Sequence, residues 1–133
     1  MRLLGIDYGK RKIGLAFGDT ETKIAVPLEV IWKQGDEAIR DIVSILKKED
    51  MEGIVVGIPS AVASHPNEKQ IAIVRAFIEK LKKYTELPVE EEDESFTTAE
   101  SRRLMHEEGA EAEEDALAAM IILQSYLNRV YAG

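Results

Sequence analysis

Hydrophobic residues open the chain in three short runs rich in strand formers, over residues 2–8, 13–18 and 24–32. Brief turns separate the runs, and the first turn carries Gly9 followed by three consecutive cations. The third run contains Pro27, which cannot donate to a ladder hydrogen bond and is therefore expected at a sheet edge. The pattern predicts an antiparallel meander of three strands.

From Gly35 the apolar positions recur every three or four residues, which predicts an amphipathic helix. The wholly apolar run 53–59 then predicts a strand in the buried centre of a sheet that has helices on both faces. A loop over 60–68 follows, and the remaining predicted elements are an amphipathic helix ending near residue 84, an edge strand over 87–92, a short helix from Thr97 to Gly109 and a final helix over 113–131. The final helix is apolar all round over 116–123 and is expected to lie buried against the sheet. This order predicts an α/β fold with a five-stranded mixed sheet, in which the first, fourth and fifth strands are parallel.

Composition narrows the class of protein. A chain of 133 residues with 45% hydrophobic content suits one globular domain over 1–133. The absence of cysteine excludes disulfides, thiolate catalysis and cysteine-based metal sites, and it fits a reducing compartment. No leader-like segment opens the chain and no apolar run approaches the length of a membrane span, so we expect a cytoplasmic protein without membrane association.

The net charge of −8 argues against an acidic partner such as nucleic acid, but the charge is unevenly distributed. Between Glu86 and Asp115 there are 13 acidic residues and two arginines, whereas the rest of the chain carries 15 cationic and 12 acidic residues. A cationic rim can therefore coexist with a negative pocket, which is what a divalent cation needs before it bridges to a phosphate.

Three acidic residues lie at the ends of predicted elements. Asp7 leaves the first strand, Glu94 lies at or just past the end of the last strand, and Asp115 occupies the start of the buried helix. Sites in open α/β sheets form at the carboxyl ends of strands, and oxygen ligands alone favour Mg²⁺ or Mn²⁺. Each acid also has an ordinary explanation: Asp7 as a turn cap, Glu94 as part of a solvated charge run, and Asp115 as a partner of the helix dipole.

Cations near Asp7 are candidates for contacts with a nucleic-acid backbone. Lys10, Arg11 and Lys12 follow it directly, although cations on a turn are also ordinary surface residues. His65 in the predicted loop could shuttle a proton, but an exposed loop histidine without a role is the favoured interpretation, and His106 is interpreted as surface.

The ordered set of motifs resembles the YqgF/RuvX family of RNase H-fold proteins, relatives of the RuvC Holliday-junction resolvases. The matching segments span nearly the whole chain: Gly5-Ile6-Asp7-Tyr8-Gly9, Ile13-Gly14-Leu15-Ala16 with Asp19, Val56-Gly57-Ile58-Pro59, Asp93-Glu94 with Thr97-Thr98, Asp115-Ala116 with Ala118-Ala119, and Ile122 to Leu127.

The resemblance implies an RNase H-like fold and metal-dependent phosphodiester hydrolysis, with Asp7, Glu94 and Asp115 as the counterparts of the family's metal-binding acids. Lys10, Arg11, Lys12 and Arg103 would contact the nucleic-acid backbone without reading bases. The implied role is trimming the 5′ end of precursor 16S ribosomal RNA, with Holliday-junction cleavage as the rival. Two departures from the family pattern are Ser95, where arginine is usual, and the segment 60–68, which lacks the usual glycine-rich loop.

Two other classes of protein are compatible with parts of the sequence. A sugar-kinase or actin-like ATPase also places Asp-x-Gly after a first strand, but such proteins need two domains of this kind. A nucleic-acid-binding module that keeps the fold without catalysis fits the acidic balance. The sequence leaves open whether RNA or branched DNA is the substrate and whether the protein is a monomer or a homodimer.

Overall fold

The computed structural model describes residues 1–9, 11–59, 68–94 and 114–131, and the elements below lie within these ranges. They follow the chain in the order β1 (Arg2–Tyr8), β2 (Ile13–Asp19), β3 (Ile24–Ile31), α1 (Gly35–Lys48), β4 (Gly53–Pro59), α2 (Glu68–Leu81), β5 (Val89–Glu94) and α3 (Glu114–Val130). The predicted helix from Thr97 to Gly109 and most of the predicted loop over 60–68 lie outside the described residues. Glu68, the last residue of that predicted loop, is the first residue of α2.

The five strands form one mixed sheet in the order β3-β2-β1-β4-β5. β2 is antiparallel to both β1 and β3, whereas β4 is parallel to both β1 and β5. The predicted meander, the parallel crossovers and the edge position of the Pro27 strand are therefore confirmed. Pro27 pairs with Ala16 and Glu29 pairs with Leu15, so Leu28 is an extra residue that bulges from the edge strand.

Helices cover both faces of the sheet, as predicted, and each face has its own core. α1 and α2 cover the face to which Leu4 and Ile6 point, and both of these side chains are fully buried. α3 covers the opposite face, where Leu3 and Val55 pack against Leu123. Because side chains alternate along a strand, Gly5 and Asp7 belong to the same face as Leu3.

α3 approaches the sheet closely because glycines lie beneath it. A Cβ on Gly5 would stand 2.8 Å from the Cβ of Leu123, and one on Gly18 would stand 2.8 Å from Leu123 Cδ2. The helix is also held at both edges of the sheet. At the β3 edge, Gln124 Nε2 donates to the Lys23 carbonyl over 2.8 Å, and the Ala25 N–H donates to Gln124 Oε1 over 2.9 Å.

Element boundaries differ from the predictions in a few places. β2 extends one residue further, to Asp19, and β3 ends at Ile31, which leaves Trp32 outside the strand. β5 runs over Val89–Glu94 instead of 87–92, so Glu94 lies within the strand as its last residue. The stretch of α3 that is apolar all round is buried on the sheet side, where Ala118, Ala119, Ile122 and Leu123 are at most 1% exposed, whereas Leu117, Met120 and Ile121 are only half-buried. None of the described helices combines the length and the apolar character needed to cross a membrane.

Candidate functional site

Asp7 is a buried carboxylate at the carboxyl end of the central strand. It is the sixth of the seven residues of β1, pairs with Gly14 of β2, and is only 6% exposed. An aspartate is unfavourable inside a strand and costly to bury without a partner, so its position calls for polar or cationic company. Its side chain belongs to the face that α3 covers.

Gly14 allows Asp115 to reach this end of the sheet. A Cβ on Gly14 would overlap the backbone carbonyl of Asp115, so no other residue type fits while the first turn of α3 keeps this position. Gly14 is the register partner of Asp7. The glycine therefore brings the start of α3, and with it Asp115, next to the strand pair that carries Asp7.

Glu94 lies on β5, at the opposite edge of the sheet from β3. It ends β5 and pairs with Pro59, the last residue of β4. On β4, Gly57 leaves room for both Ile122 and Glu94, since a Cβ there would overlap the Ile122 side chain and stand 3.0 Å from Glu94 Oε1. A second glycine thus shapes the space that the third acid enters.

The three predicted acids line one cavity. Its volume is about 280 Å³, and its walls are formed by Asp7, Tyr8, Gly9, Gly57, Pro59, Gln70, Val74, Glu94 and Asp115. Within the described ranges, no three histidine, cysteine, aspartate or glutamate side chains lie close enough together to hold one metal ion. The acids therefore share a cavity at the strand ends without forming a closed set of ligands as the side chains stand.

Lys12 supplies a cation to this group of acids. Its Nζ lies 3.2 Å from Asp115 Oδ2, and the side chains of the two residues are 34% and 23% exposed. The same Nζ lies 5.1 Å from the centroid of the Trp32 ring. Sequence reasoning assigned Lys12 to a phosphate contact, and neither the ion pair with Asp115 nor the neighbouring tryptophan was anticipated.

The other predicted cations are distributed differently. Arg11 is exposed on the turn between β1 and β2, next to the hydrogen bond from the Gly9 N–H to the Lys12 carbonyl. Lys10 and Arg103 lie outside the described residues, as do Ser95 and both histidines. The structure therefore gives positions for two of the four cations expected to contact a nucleic-acid backbone.

Glu92 is a buried acid that the sequence patterns did not single out. It is 5% exposed and accepts hydrogen bonds from Ser125 Oγ over 2.9 Å and from Arg129 Nη2 over 2.6 Å. The hydrogen bond to Glu92 raises the pKa of the Arg129 guanidinium above its already high usual value. These bonds hold α3 at the β5 edge. All residues from Glu90 to Glu94 are acidic, so no alternation in the sequence distinguishes the buried Glu92 from its exposed neighbours.

Comparisons with known proteins extend over almost the whole chain. A family model described as "RuvX: Holliday junction resolvase" matches residues 1–129. A protein of Rickettsia bellii, named as a candidate pre-16S rRNA nuclease, is 38% identical over 136 residues, with 96% of this chain and 86% of the relative covered. A protein of Dictyoglomus turgidum with the same name is 36% identical over 135 residues, with 96% and 94% covered.

Solved structures share the fold at low identity. RuvC of Thermus thermophilus, in a complex with a Holliday-junction substrate, superposes with a TM-score of 0.61 at 16% identity, covering 99% of this chain and 97% of RuvC. The Holliday junction resolvase of fowlpox virus gives a TM-score of 0.52 at 14% identity, covering 98% and 100% of the two chains. With the strand order above, these likenesses establish the RNase H-like fold expected from the sequence.

Proposed function

Because this chain belongs to the RuvX family, we propose that it is a nuclease that hydrolyses phosphodiester bonds with the help of divalent metal ions, and that it processes the 5′ end of precursor 16S ribosomal RNA. The observation that carries the proposal is the arrival of Asp7, Glu94 and Asp115, from a first strand, a last strand and a last helix, at the walls of one cavity. The names of the relatives support the choice of substrate.

The donor chemistry of the cavity fits a hard divalent cation. Its three acidic side chains offer only carboxylate oxygens, the ligands preferred by Mg²⁺ and Mn²⁺. The Lys12 ammonium group beside Asp115 marks a place where a positive charge is already accommodated. Asp7, Glu94 and Asp115 would hold the ions, which supply Lewis-acid stabilisation of the phosphate oxygens and activate an attacking water.

The chain's own residues would hold the metal ligands in position and contact the substrate. Asp7, on a buried central strand, gives a rigid ligand position, whereas Asp115 and Glu94 are half-buried and can adjust to a substrate phosphate. Lys12 and Arg11, on the turn between β1 and β2, would contact backbone phosphates. Contacts of this kind orient a nucleic acid without reading its bases, so recognition would depend on the shape of the substrate.

A direct test compares two substrates under three metal conditions. A 5′-extended fragment of precursor 16S RNA and a synthetic four-way DNA junction are incubated with the protein in Mg²⁺, Mn²⁺ or EDTA, with Asp7→Asn as the inactive variant. We expect cleavage of the RNA in either metal, no cleavage in EDTA, and no cleavage by Asp7→Asn, whose folding is checked by circular dichroism and thermal unfolding.

The second candidate function is junction resolution, which the description of the RuvX family as Holliday junction resolvases favours. Paired symmetric nicks in the junction, with the RNA left intact, would assign the protein to that function. If the folded wild-type chain binds but cuts neither substrate in either metal, the nuclease proposal is wrong and a non-catalytic binding module is the better description.

A further inference from the structure

We propose that Trp32 is a stacking site for an unpaired nucleobase of the substrate, next to the acid cavity. The inference rests on the proposed function only in taking nucleic acid as the ligand. It adds a substrate class, namely a nucleic acid that is single-stranded beside the bond to be cut. It also names a residue that recognises such a strand.

Trp32 is placed to meet a ligand from solvent. It follows directly after Ile31, the buried last residue of β3, and is itself 67% exposed. Ile31 pairs with Ile13 of β2, so the end of the edge strand holds Trp32 beside the turn that carries Lys12. A single exposed apolar residue is ordinary on a protein surface, but this one lies beside a cation that reaches the acid cavity.

The contacts of Lys12 connect the indole ring to the cavity. Lys12 Nζ lies 5.1 Å from the ring centroid of Trp32 and 3.2 Å from Asp115 Oδ2, and Asp115 is part of the cavity wall. From the surface inwards, the indole ring of Trp32 is thus followed by the Lys12 ammonium group and then by the Asp115 carboxylate. A nucleotide presents a planar base and a phosphate close together, and the order of ring and ammonium group matches that arrangement.

Tyr8, an aromatic residue in the cavity wall, is differently engaged. Tyr8 stacks on Phe77 with ring centroids 4.2 Å apart, so one of its faces is already covered by protein. Trp32 has the larger π surface and the greater exposure. Stacking on an aromatic side chain tolerates any base but requires the face of that base to be free, which excludes a base inside a continuous duplex.

The chain contains one tryptophan, so its fluorescence reports on Trp32 alone. The full-length protein is titrated in EDTA, where cutting is suppressed, with a single-stranded RNA of about 12 nucleotides and with the blunt duplex of the same sequence. We expect the single strand to quench the tryptophan fluorescence and the duplex to leave it nearly unchanged. Equal quenching by both, or no quenching by the single strand, would overturn the proposal.

Variants test the same point by affinity, measured by anisotropy of a labelled single strand. Trp32→Ala is expected to weaken binding about tenfold, and Trp32→Phe should retain most of the affinity, because stacking on one base is worth on the order of tenfold in binding. Tyr84→Ala is the matched control, since Tyr84 is a 48% exposed aromatic that lines a separate cavity with Met51 and Leu87. Unchanged binding by Trp32→Ala, or an equal loss in Tyr84→Ala, would contradict the assignment.

The outcome is separable from that of the nuclease proposal. Quenching without cleavage in Mg²⁺ or Mn²⁺ would leave the stacking site in place and refute the nuclease. Cleavage without quenching would do the reverse.

Discussion

At the scale of single residues, Asp115 already has a cationic partner in Lys12. The two side chains are partly exposed, and such ion pairs are worth at most about 1 kcal/mol. A divalent ion held by Asp115 must compete with the Lys12 ammonium group, which would then be available to a phosphate. The ion pair therefore links metal binding to substrate binding at one side chain.

Lys12→Gln should increase the affinity for Mn²⁺ by up to about fivefold, because the variant no longer offers Asp115 a competing charge. The measurement is a calorimetric or paramagnetic titration of Mn²⁺ in the absence of nucleic acid. Lys33→Gln is the control, since Lys33 pairs with Asp41 over 3.0 Å and does not line the acid cavity. Unchanged or weaker Mn²⁺ binding by Lys12→Gln alone would refute the competition.

A second prediction at this scale concerns Gly14. The backbone carbonyl of Asp115 occupies the space that a Cβ on this residue would need. Gly14→Ala should lower the free energy of unfolding by about 1–3 kcal/mol, the usual cost of overpacking. It should also reduce metal-dependent cleavage, because the first turn of α3 must move away from Asp7. Denaturant unfolding and cleavage assays measure the two effects, and a variant with wild-type stability and activity would show that the close approach is unimportant.

At the scale of elements, α3 is fastened at both edges of the sheet. At the β3 edge, the Gln124 side chain forms hydrogen bonds with the backbone of Lys23 and Ala25. At the β5 edge, Glu92 accepts hydrogen bonds from Ser125 and Arg129. Its position relative to the strands is fixed by polar contacts at the edges and by glycines in between. The location of Asp115 follows from these contacts.

Glu92→Gln should destabilise the fold by about 1–2 kcal/mol, because hydrogen bonds to a buried charged acceptor are stronger than those to a neutral amide. Glu91→Gln on the same strand should change stability little, since its ion pair with Arg75 is between exposed side chains. Both are measured by urea unfolding. Equal effects of the two substitutions would mean that the bonds to α3 do not depend on the charge of Glu92.

The elements also mark the limits of what the sequence predicts. The bounds of β1 and β4 and the first residue of α1 match the predictions, because these segments are strongly apolar or strongly periodic and their neighbours break the pattern. The prediction places β5 two residues too early, because acidic residues are poor strand formers and the strand continues through pairing of Asp93 and Glu94 with Ile58 and Pro59 of β4. The ion pair of Lys12 and the exposure of Trp32 depend on how the ends of β2 and β3 lie beside α3, and no local pattern contains that information.

At the scale of the whole molecule, the excess of acidic residues limits how much electrostatics can contribute to binding nucleic acid. The net charge of −8 repels a polyanion, and the cations proposed to touch phosphate are Lys10, Arg11, Lys12 and Arg103. Affinity for RNA should therefore depend weakly on salt and more on metal bridging and stacking.

The slope of log affinity for single-stranded RNA against log salt concentration should lie between about −1 and −3, since each neutralised phosphate contributes about −0.7. Anisotropy titrations across a series of KCl concentrations in EDTA give this slope. All titrations are made at one pH. Ion mixtures of equal total charge serve as controls for effects other than salt concentration. A slope steeper than about −6 would mean that a much larger cationic surface takes part.

The order of the elements along the chain has a consequence for the timing of synthesis. Asp7 belongs to the first strand and Asp115 to the last helix, so the acid cavity lacks a wall until α3 has left the ribosome and docked. If the cavity cuts ribosomal RNA precursors, a nascent chain in which α3 has not yet docked is inert toward RNA. Activity then begins only once the last wall of the cavity is in place.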